Sequence, residues 1–171
     1  MSEETETSPE GDRQRPIAVR RLFPARGTTS HEIIRAVRST LHGRSIRTIS
    51  VALVDDATIS SLHERYLGDP RPTDVLAFDL RDDSRDQRIE GEIVVSVEAA
   101  RRSAARLGLH EAREVLRYVI HGTLHLMGYD DCRPADRARM RQAENRVLAG
   151  LSPDRRRLKA RVKQRRARGG V

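Results

Sequence analysis

The sequence predicts an α+β fold, a single domain in which a small mixed sheet of about four strands packs against about five helices. Two observations support this prediction. Helical segments and short β-branched segments follow one another in the order β-α-β-α-β-β-α-α-α. The chain has 171 residues and no internal repeat, which is typical of one domain with a sizeable core.

Four short segments predict the strands, because aliphatic and β-branched residues dominate them or alternate with polar ones. They cover residues 17–22, 48–54, 75–80 and 92–96. The charged loop 81–90 joins the last two, which we expect to pair as antiparallel neighbours.

Five segments with apolar residues at helical spacing predict the helices. The first begins at a capping box formed by Thr29 and Glu32. Asp56 is predicted to cap the second, which ends at Gly68. The other three are predicted over 99–107, over 111–127, and from Pro134 to near Gly150.

The charge distribution divides the chain into three parts. Residues 1–15 are acidic and lack a hydrophobic pattern, so we expect them to be disordered. Residues 16–150 form the predicted domain. Residues 151–171 form a basic tail, which accounts for the net charge of +8 because the rest of the chain is balanced. Its nine cations are Arg155, Arg156, Arg157, Lys159, Arg161, Lys163, Arg165, Arg166 and Arg168.

The composition argues against a membrane protein or a disulfide-bonded one. No apolar run is long enough to cross a bilayer, and the N-terminus lacks the basic and apolar blocks of a secretory signal. The single cysteine, Cys132, excludes an internal disulfide and a CxxC metal site, and it fits a reducing compartment. We therefore expect a cytoplasmic protein with no membrane partner.

Two histidines predict a metal site. His121 and His125 stand at positions i and i+4 of the helix 111–127, on one side of it, as two ligands of one ion do. That side lies roughly opposite the predicted apolar face, so the histidines should line a cleft or the surface. The apolar face consists of Ala112, Val115, Leu116, Val119 and Met127.

Gly128 can end this helix in the left-handed conformation and turn the chain back over the imidazoles. A third ligand can then come from Asp130, Asp131 or Cys132, because zinc accepts oxygen, nitrogen and thiolate ligands. The residues alone leave these alternatives open. Glu114 lies two turns before His121, too far away to be a direct ligand, but it can support the site from further out.

The residue after His121 bears on the reaction. It is Gly122, whereas HExxH metallopeptidases carry there the glutamate that acts as general base, so peptide hydrolysis is disfavoured. A metal with three protein ligands and an open position activates water and polarises a phosphoryl oxygen. Phosphodiester hydrolysis therefore fits the site better, and no catalytic group beyond the metal-bound water is predicted.

Three motifs carry a resemblance to a known family. They are HGTLHLMGYDD at 121–131, PTDVLAF at 72–78 and GEIVVS at 91–96. They resemble HGxLHLxGYDH, PTDVLSF and a GDIxIS strand of the YbeY endoribonuclease family of bacterial ribosomal-RNA maturation factors. The likeness extends over residues 17–150.

The resemblance implies a single-metal hydrolase that cleaves single-stranded RNA in ribosomal-RNA maturation and ribosome quality control. It implies a ribosomal RNA precursor and the ribosome or its small subunit as partners, with no DNA expected. The family's three histidine ligands correspond to His121, His125 and position 131, which Asp131 occupies here. The implied cofactor is one divalent ion, zinc by preference, although two histidines and a carboxylate also suit iron(II), manganese or nickel.

The chain also departs from the family outside its histidines. Leu67 stands where many members carry an arginine that assists RNA cleavage, and Arg71 is a nearby cation. An alternative function is therefore a ribosome-associated RNA-binding factor with a structural or vestigial metal site and no nuclease activity. A structural site would recruit a fourth protein ligand, for which Cys132 is the candidate. In either case we expect the basic tail to contact RNA without sequence preference.

Overall fold

A computed structural model describes residues 16–83 and 85–151, and its helices and strands follow the predicted order. The strands are β1 (Ile17–Arg21), β2 (Ile46–Val54), β3 (Val75–Asp79) and β4 (Ile89–Ser96). The helices are α1 (Ser30–Leu41), α2 (Asp56–Leu67), α3 (Val97–Leu107), α4 (Glu111–Leu126) and α5 (Pro134–Leu151). The α+β prediction is confirmed. The predicted disorder of 1–15 and the predicted RNA contacts of the basic tail lie outside the described residues.

The sheet is mixed and has the strand order β1-β2-β4-β3. β1 and β4 both run parallel to β2, whereas β3 pairs antiparallel with β4, as predicted. β4 begins three residues earlier than expected. Ile89 is fully buried there, and its backbone N–H donates to the Ser45 carbonyl at 2.8 Å, so the end of the charged segment joins the sheet.

The predicted capping box is present at α1. The Thr29 hydroxyl accepts from the Glu32 backbone N–H at 3.2 Å, and the Glu32 carboxylate accepts from the Thr29 N–H at 2.9 Å. Each bond satisfies a donor that the helix start would otherwise leave free.

The predicted cap of α2 was wrong by one residue. Asp55 is the N-cap, because its backbone is extended and its carboxylate accepts from the Thr58 N–H at 2.8 Å. Asp56 instead accepts from the Ser96 hydroxyl at 2.5 Å and pairs with Arg102. It therefore ties the start of α2 to the start of α3.

α4 occupies the centre of the domain, where it contacts α1, α3, α5, β3 and β4. The predicted apolar face was too narrow, because a helix with neighbours on several sides buries more of its circumference. Ile120 and Leu124 are buried along with the predicted Val115 and Val119, whereas Leu116 is only partly buried. Within the described ranges, no helix has the length and apolar character needed to span a membrane.

Candidate metal centre

His121 and His125 lie in the last two turns of α4 with their rings facing one another. The Nε2 atoms are 3.0 Å apart, and the ring centroids are 4.6 Å apart with the planes at 81°. Both side chains are partly exposed, His121 by 20% and His125 by 31%. The histidines therefore border solvent at the end of a buried helix, where a ligand can reach both Nε2 atoms.

The turn after α4 brings a carboxylate to the two rings. Gly128 adopts the left-handed conformation, with φ of 87°, and the Tyr129 N–H donates back to the Leu124 carbonyl at 3.1 Å. The reversed chain places Asp131 Oδ2 at 3.7 Å from His121 Nε2, and Asp131 Oδ1 at 4.0 Å from His125 Nε2. Two nitrogen atoms and one carboxylate thus converge on one point.

The structure separates the three candidates for the third ligand. Asp130 shapes the turn, because its Oδ1 accepts from the backbone N–H groups of Asp131 at 2.7 Å and Cys132 at 3.0 Å. Cys132 is exposed and lies near the carboxylates of Asp130 and Asp131 rather than in the group formed with the histidines. Asp131 is the candidate that shares that group with both histidines.

The outer nitrogen of each ring faces an acceptor. His121 Nδ1 lies 2.8 Å from Glu144 Oε1, and His125 Nδ1 lies 3.0 Å from the Tyr129 carbonyl oxygen. Each Nδ1 therefore carries a hydrogen in the neutral ring, which leaves a lone pair on each Nε2. Two lone pairs and a carboxylate directed at one point repel each other unless a positive charge lies between them.

The donor set therefore fits a divalent ion. Two neutral imidazoles and one carboxylate are ligands of zinc and of other divalent transition metals. The separations of 3.0, 3.7 and 4.0 Å between the three donor pairs are near the roughly 3.3 Å that tetrahedral geometry implies for zinc ligands. His121, His125 and Asp131 are thus the residues that could hold a metal.

Glu144 of α5 is a site residue that the sequence did not indicate. Its carboxylate is buried, and besides His121 it accepts from Arg117 Nη1 at 3.1 Å. A signal was nevertheless available, because Glu144 lies at helical spacing among the buried Met140 and Val147. A carboxylate on an apolar helix face needs a partner in the interior.

Glu114, which we expected to support the site, acts only at a distance. It is 1% exposed, accepts from the Ser103 hydroxyl at 3.1 Å and pairs with Arg117 at 3.3 Å. Arg117 thus bridges the two buried carboxylates of Glu114 and Glu144. Glu114 is thus connected to His121 only through Arg117 and Glu144.

The surroundings shift the pKa values of the two histidines in opposite directions. Burial lowers the pKa of His121, but the hydrogen bond and charge of Glu144 outweigh it and raise that pKa above its usual value. Burial and the neighbouring His121 lower the pKa of His125. The surroundings therefore favour protonation of His121 over His125, and a cation bound to both Nε2 atoms competes with that proton.

Leu67 stands where many family members carry an arginine, and the nearby cation, Arg71, is already paired. Arg71 is exposed and forms an ion pair with Asp69 at 2.5 Å, while Leu67 is 61% exposed. The adjoining turn is fixed by backbone contacts, since the Ser96 N–H donates to the Asp74 carbonyl at 2.9 Å. The structure thus shows Arg71 engaged by Asp69 on the turn before β3.

The comparisons with known proteins agree on one family. A family model described as endoribonuclease YbeY matches residues 25–152. The endoribonuclease YbeY of Salinibacter ruber is 34% identical over 148 residues, which cover 81% of this chain and 93% of the relative. That of Carboxydothermus hydrogenoformans is 39% identical over 125 residues, covering 72% and 86%.

A solved structure supports the same relationship. The solution structure of TM1509 from Thermotoga maritima is 26% identical to this chain and superposes with a TM-score of 0.52. The match covers 78% of this chain and 88% of that protein. With the family model matching most of the domain, the chain belongs to the YbeY family of endoribonucleases.

Proposed function

We propose that this protein is a metal-dependent endoribonuclease that hydrolyses phosphodiester bonds of single-stranded RNA in ribosomal-RNA maturation and ribosome quality control. One observation carries the proposal. The Nε2 atoms of His121 and His125 and the carboxylate of Asp131 converge, while Glu144 and the Tyr129 carbonyl engage the opposite ring nitrogens. Such outer partners orient metal-binding histidines and select their tautomer.

In this proposal, His121, His125 and Asp131 hold one divalent ion, and the ion is zinc. When bound, the metal supplies a Lewis acid that activates water and polarises a phosphoryl oxygen. Glu144 retains the proton on His121 Nδ1 and adds negative charge behind the ring, while Arg117 holds Glu144 in place. No further protein group is assigned as an acid or base.

The carboxylate at position 131 distinguishes this centre from a three-histidine one. It adds a negative charge beside the ion, which should make bound water less acidic and broaden the range of ions accepted to include iron(II), manganese and nickel. Replacing Asp131 by histidine therefore alters the metal preference while it keeps three ligands.

The partners follow from the same proposal. Single-stranded RNA is the substrate, a ribosomal RNA precursor is its source, and the ribosome or its small subunit is the assembly with which the cytoplasmic protein associates. The basic tail, residues 151–171, would bind RNA through its nine cations. Deleting it should reduce the salt dependence of RNA affinity by about 0.7 in the logarithmic slope for each RNA phosphate that the tail neutralises. An unchanged slope would remove the tail from the RNA interface.

The central test measures metal content and RNA cleavage together. Wild-type protein, His125→Ala, Asp131→His and the control His31→Ala are loaded with zinc and incubated with a single-stranded RNA and the matching DNA. His31 is an exposed histidine in the first turn of α1, so its replacement controls for histidine removal as such. We expect wild type and His31→Ala to cut RNA but not DNA, and His125→Ala to lose both metal and cleavage.

Other outcomes separate the proposal from its alternative. If wild type binds zinc and RNA but cuts no better than His125→Ala, the protein is an RNA-binding factor with a structural metal. Cys132→Ala then tests for the fourth protein ligand that such a site needs, by loss of zinc. Cleavage that is regained only in Asp131→His would show that the carboxylate limits catalysis.

A further inference from the structure

A cleft of about 370 Å³ opens beside the metal centre, between the turn before β3 and the helices α3 and α4. It is of a size that binds small ligands. The side chains that decide its chemistry are Asp74 on the turn, Arg102 and Arg106 on α3, and Tyr118 on α4.

The cleft and the metal centre are neighbours. Tyr118 lies on α4 three residues before His121, and residues three apart on a helix are adjacent on its surface. Asp74 lines the cleft, and the next residue, Val75, packs against Gly122, the residue after His121, where a Cβ would lie 3.2 Å from Val75 Cγ2. The turn before β3 therefore borders both sites. The cleft therefore adjoins the side of α4 that carries His121.

The two arginines of the cleft differ in how they are paired. Arg102 forms an ion pair with Asp56, which neutralises it. Arg106 lies one turn further along α3 and makes a long hydrogen bond of 3.4 Å to the Ser103 hydroxyl. No carboxylate in the described part of the chain lies within ion-pair distance of Arg106. The α3 end of the cleft thus presents a cation with free donors for a phosphate.

Tyr118 borders the cleft from α4, and its hydroxyl lies beside Ser103, the residue to which Arg106 donates. Tyr118 is half-buried, and burial, together with the charges of Asp74 and Glu114, raises the pKa of its phenol, so the hydroxyl stays neutral. Its aromatic ring offers a stacking surface. The carboxylate of Asp74 repels a phosphate but accepts hydrogen bonds from hydroxyl groups. Tyr118 and Asp74 therefore suit a nucleoside, and the neighbouring Arg106 suits its phosphate.

We propose that the cleft is a nucleotide-binding subsite for the part of the RNA strand that adjoins the cleaved bond. Arg106 binds a backbone phosphate there, and Tyr118 packs against the nucleoside. The inference rests on the proposed endoribonuclease function and adds to it the residues that hold the strand next to the metal.

The test uses adenosine monophosphate and adenosine as probes, because neither has a phosphodiester bond to cleave. Binding to the full-length, zinc-loaded protein is measured for wild type, Arg106→Ala, Tyr118→Leu and the control Arg38→Ala. Arg38 is an exposed arginine of α1 that lines a different cavity. KM and kcat for single-stranded RNA, the salt dependence of RNA affinity, and unfolding curves are measured on the same set.

Removing the cation of Arg106 should weaken the binding of the phosphate group but not that of the nucleoside. We expect Arg106→Ala to bind adenosine monophosphate about tenfold more weakly, with adenosine binding unchanged. The salt slope of RNA affinity should fall by about 0.7, the contribution of one neutralised phosphate on a single strand. KM for RNA should rise with kcat nearly unchanged, and Arg38→Ala should behave as wild type in all these measurements.

Removing the aromatic ring of Tyr118 should weaken the binding of the nucleoside. We expect Tyr118→Leu to weaken adenosine and adenosine monophosphate alike, by about fivefold or more. Tyr118 also packs against the core, so Tyr118→Phe, which keeps the ring, is measured with it and should bind both probes almost as wild type does.

The outcomes keep the two proposals apart. If wild type cleaves RNA while Arg106→Ala matches Arg38→Ala in probe binding, KM and salt slope, the subsite is refuted and the endoribonuclease proposal stands. If wild type cleaves no RNA but the probe affinities change as expected, the cleft binds nucleotides and the proposed reaction fails.

Discussion

Replacing Gly122 by alanine should destabilise the protein and displace α4, the helix that carries His121 and His125. Gly122 lies in α4 between the two histidines and faces the sheet. A Cβ built there would lie 2.7 Å from Ile93 Cγ2 and 3.2 Å from Val75 Cγ2. Carbon atoms that do not share a bond prefer about 3.5–4.0 Å, so α4 and β4 must separate by roughly 1 Å.

The magnitude follows from two opposing effects. Overpacking of a buried site costs about 1–3 kcal/mol, and Ile93 is fully buried in a strand and cannot move aside. Alanine gains up to about 1 kcal/mol over glycine in helix propensity. We therefore expect Gly122→Ala to lower the free energy of unfolding by about 1–2 kcal/mol, and to weaken zinc binding because His121 moves with the helix.

The assay is urea unfolding, compared with Gly150→Ala as a matched control. Gly150 lies in α5, and a Cβ there would meet nothing within 4 Å, so that variant should be neutral or slightly more stable than wild type. In the background of Ile93→Ala, which removes the obstructing methyl group, Gly122→Ala should no longer destabilise. Equal stability of Gly122→Ala and Gly150→Ala would refute the close packing of α4 on β4.

Three further predictions concern charge and metal. Glu144→Gln keeps the shape but removes the charge behind His121, so zinc affinity should fall about tenfold, and an unchanged affinity would exclude a tuning role. Asp56→Asn should cost about 0.5–1 kcal/mol at pH 7, measured by urea unfolding. The hydrogen bond from Arg102 holds the pKa of Asp56 below its usual 3.8, so this stabilisation is present above pH 3.8 and is lost as the pH falls below it. A stability difference that stays the same at low pH would contradict this assignment. Zinc at a hundredfold excess over its Kd should stabilise the protein by about 2.7 kcal/mol, roughly 5–10 °C in Tm, and His125→Ala should abolish the shift.

Gly122 also illustrates how a motif and a packing constraint coincide. In the sequence, Gly122 matters because it replaces the glutamate that follows the first histidine of the HExxH motif in metallopeptidases. In the fold, its position allows no side chain, because α4 lies against Ile93 and Val75. A general base at position 122 would therefore have no room between the helix and the sheet.

Local periodicity was enough to predict the order of helices and strands and the two histidines of the candidate centre. The helical repeat places His121 and His125 on one side of α4 whatever surrounds the helix, and the Thr29–Glu32 box depends on contacts three residues apart. Adjacent residues with equal chemistry were less predictable. Asp55 and Asp56 are both able to cap a helix, and the start of α3 decides between them because Ser96 and Arg102 engage Asp56.

The remainder of the candidate centre could be read only from the structure. Asp130, Asp131 and Cys132 are equivalent by distance along the chain, but the turn places Asp131 beside both histidines, whereas Asp130 closes that turn. Glu144 lies 23 residues from His121 and meets it only because α5 packs on α4. The sequence by itself thus determined the element order, the paired histidines and the family motifs, whose physics is local. The third candidate ligand depends on the conformation of a turn that spacing does not fix, and the buried carboxylate and the cleft depend on how distant segments pack.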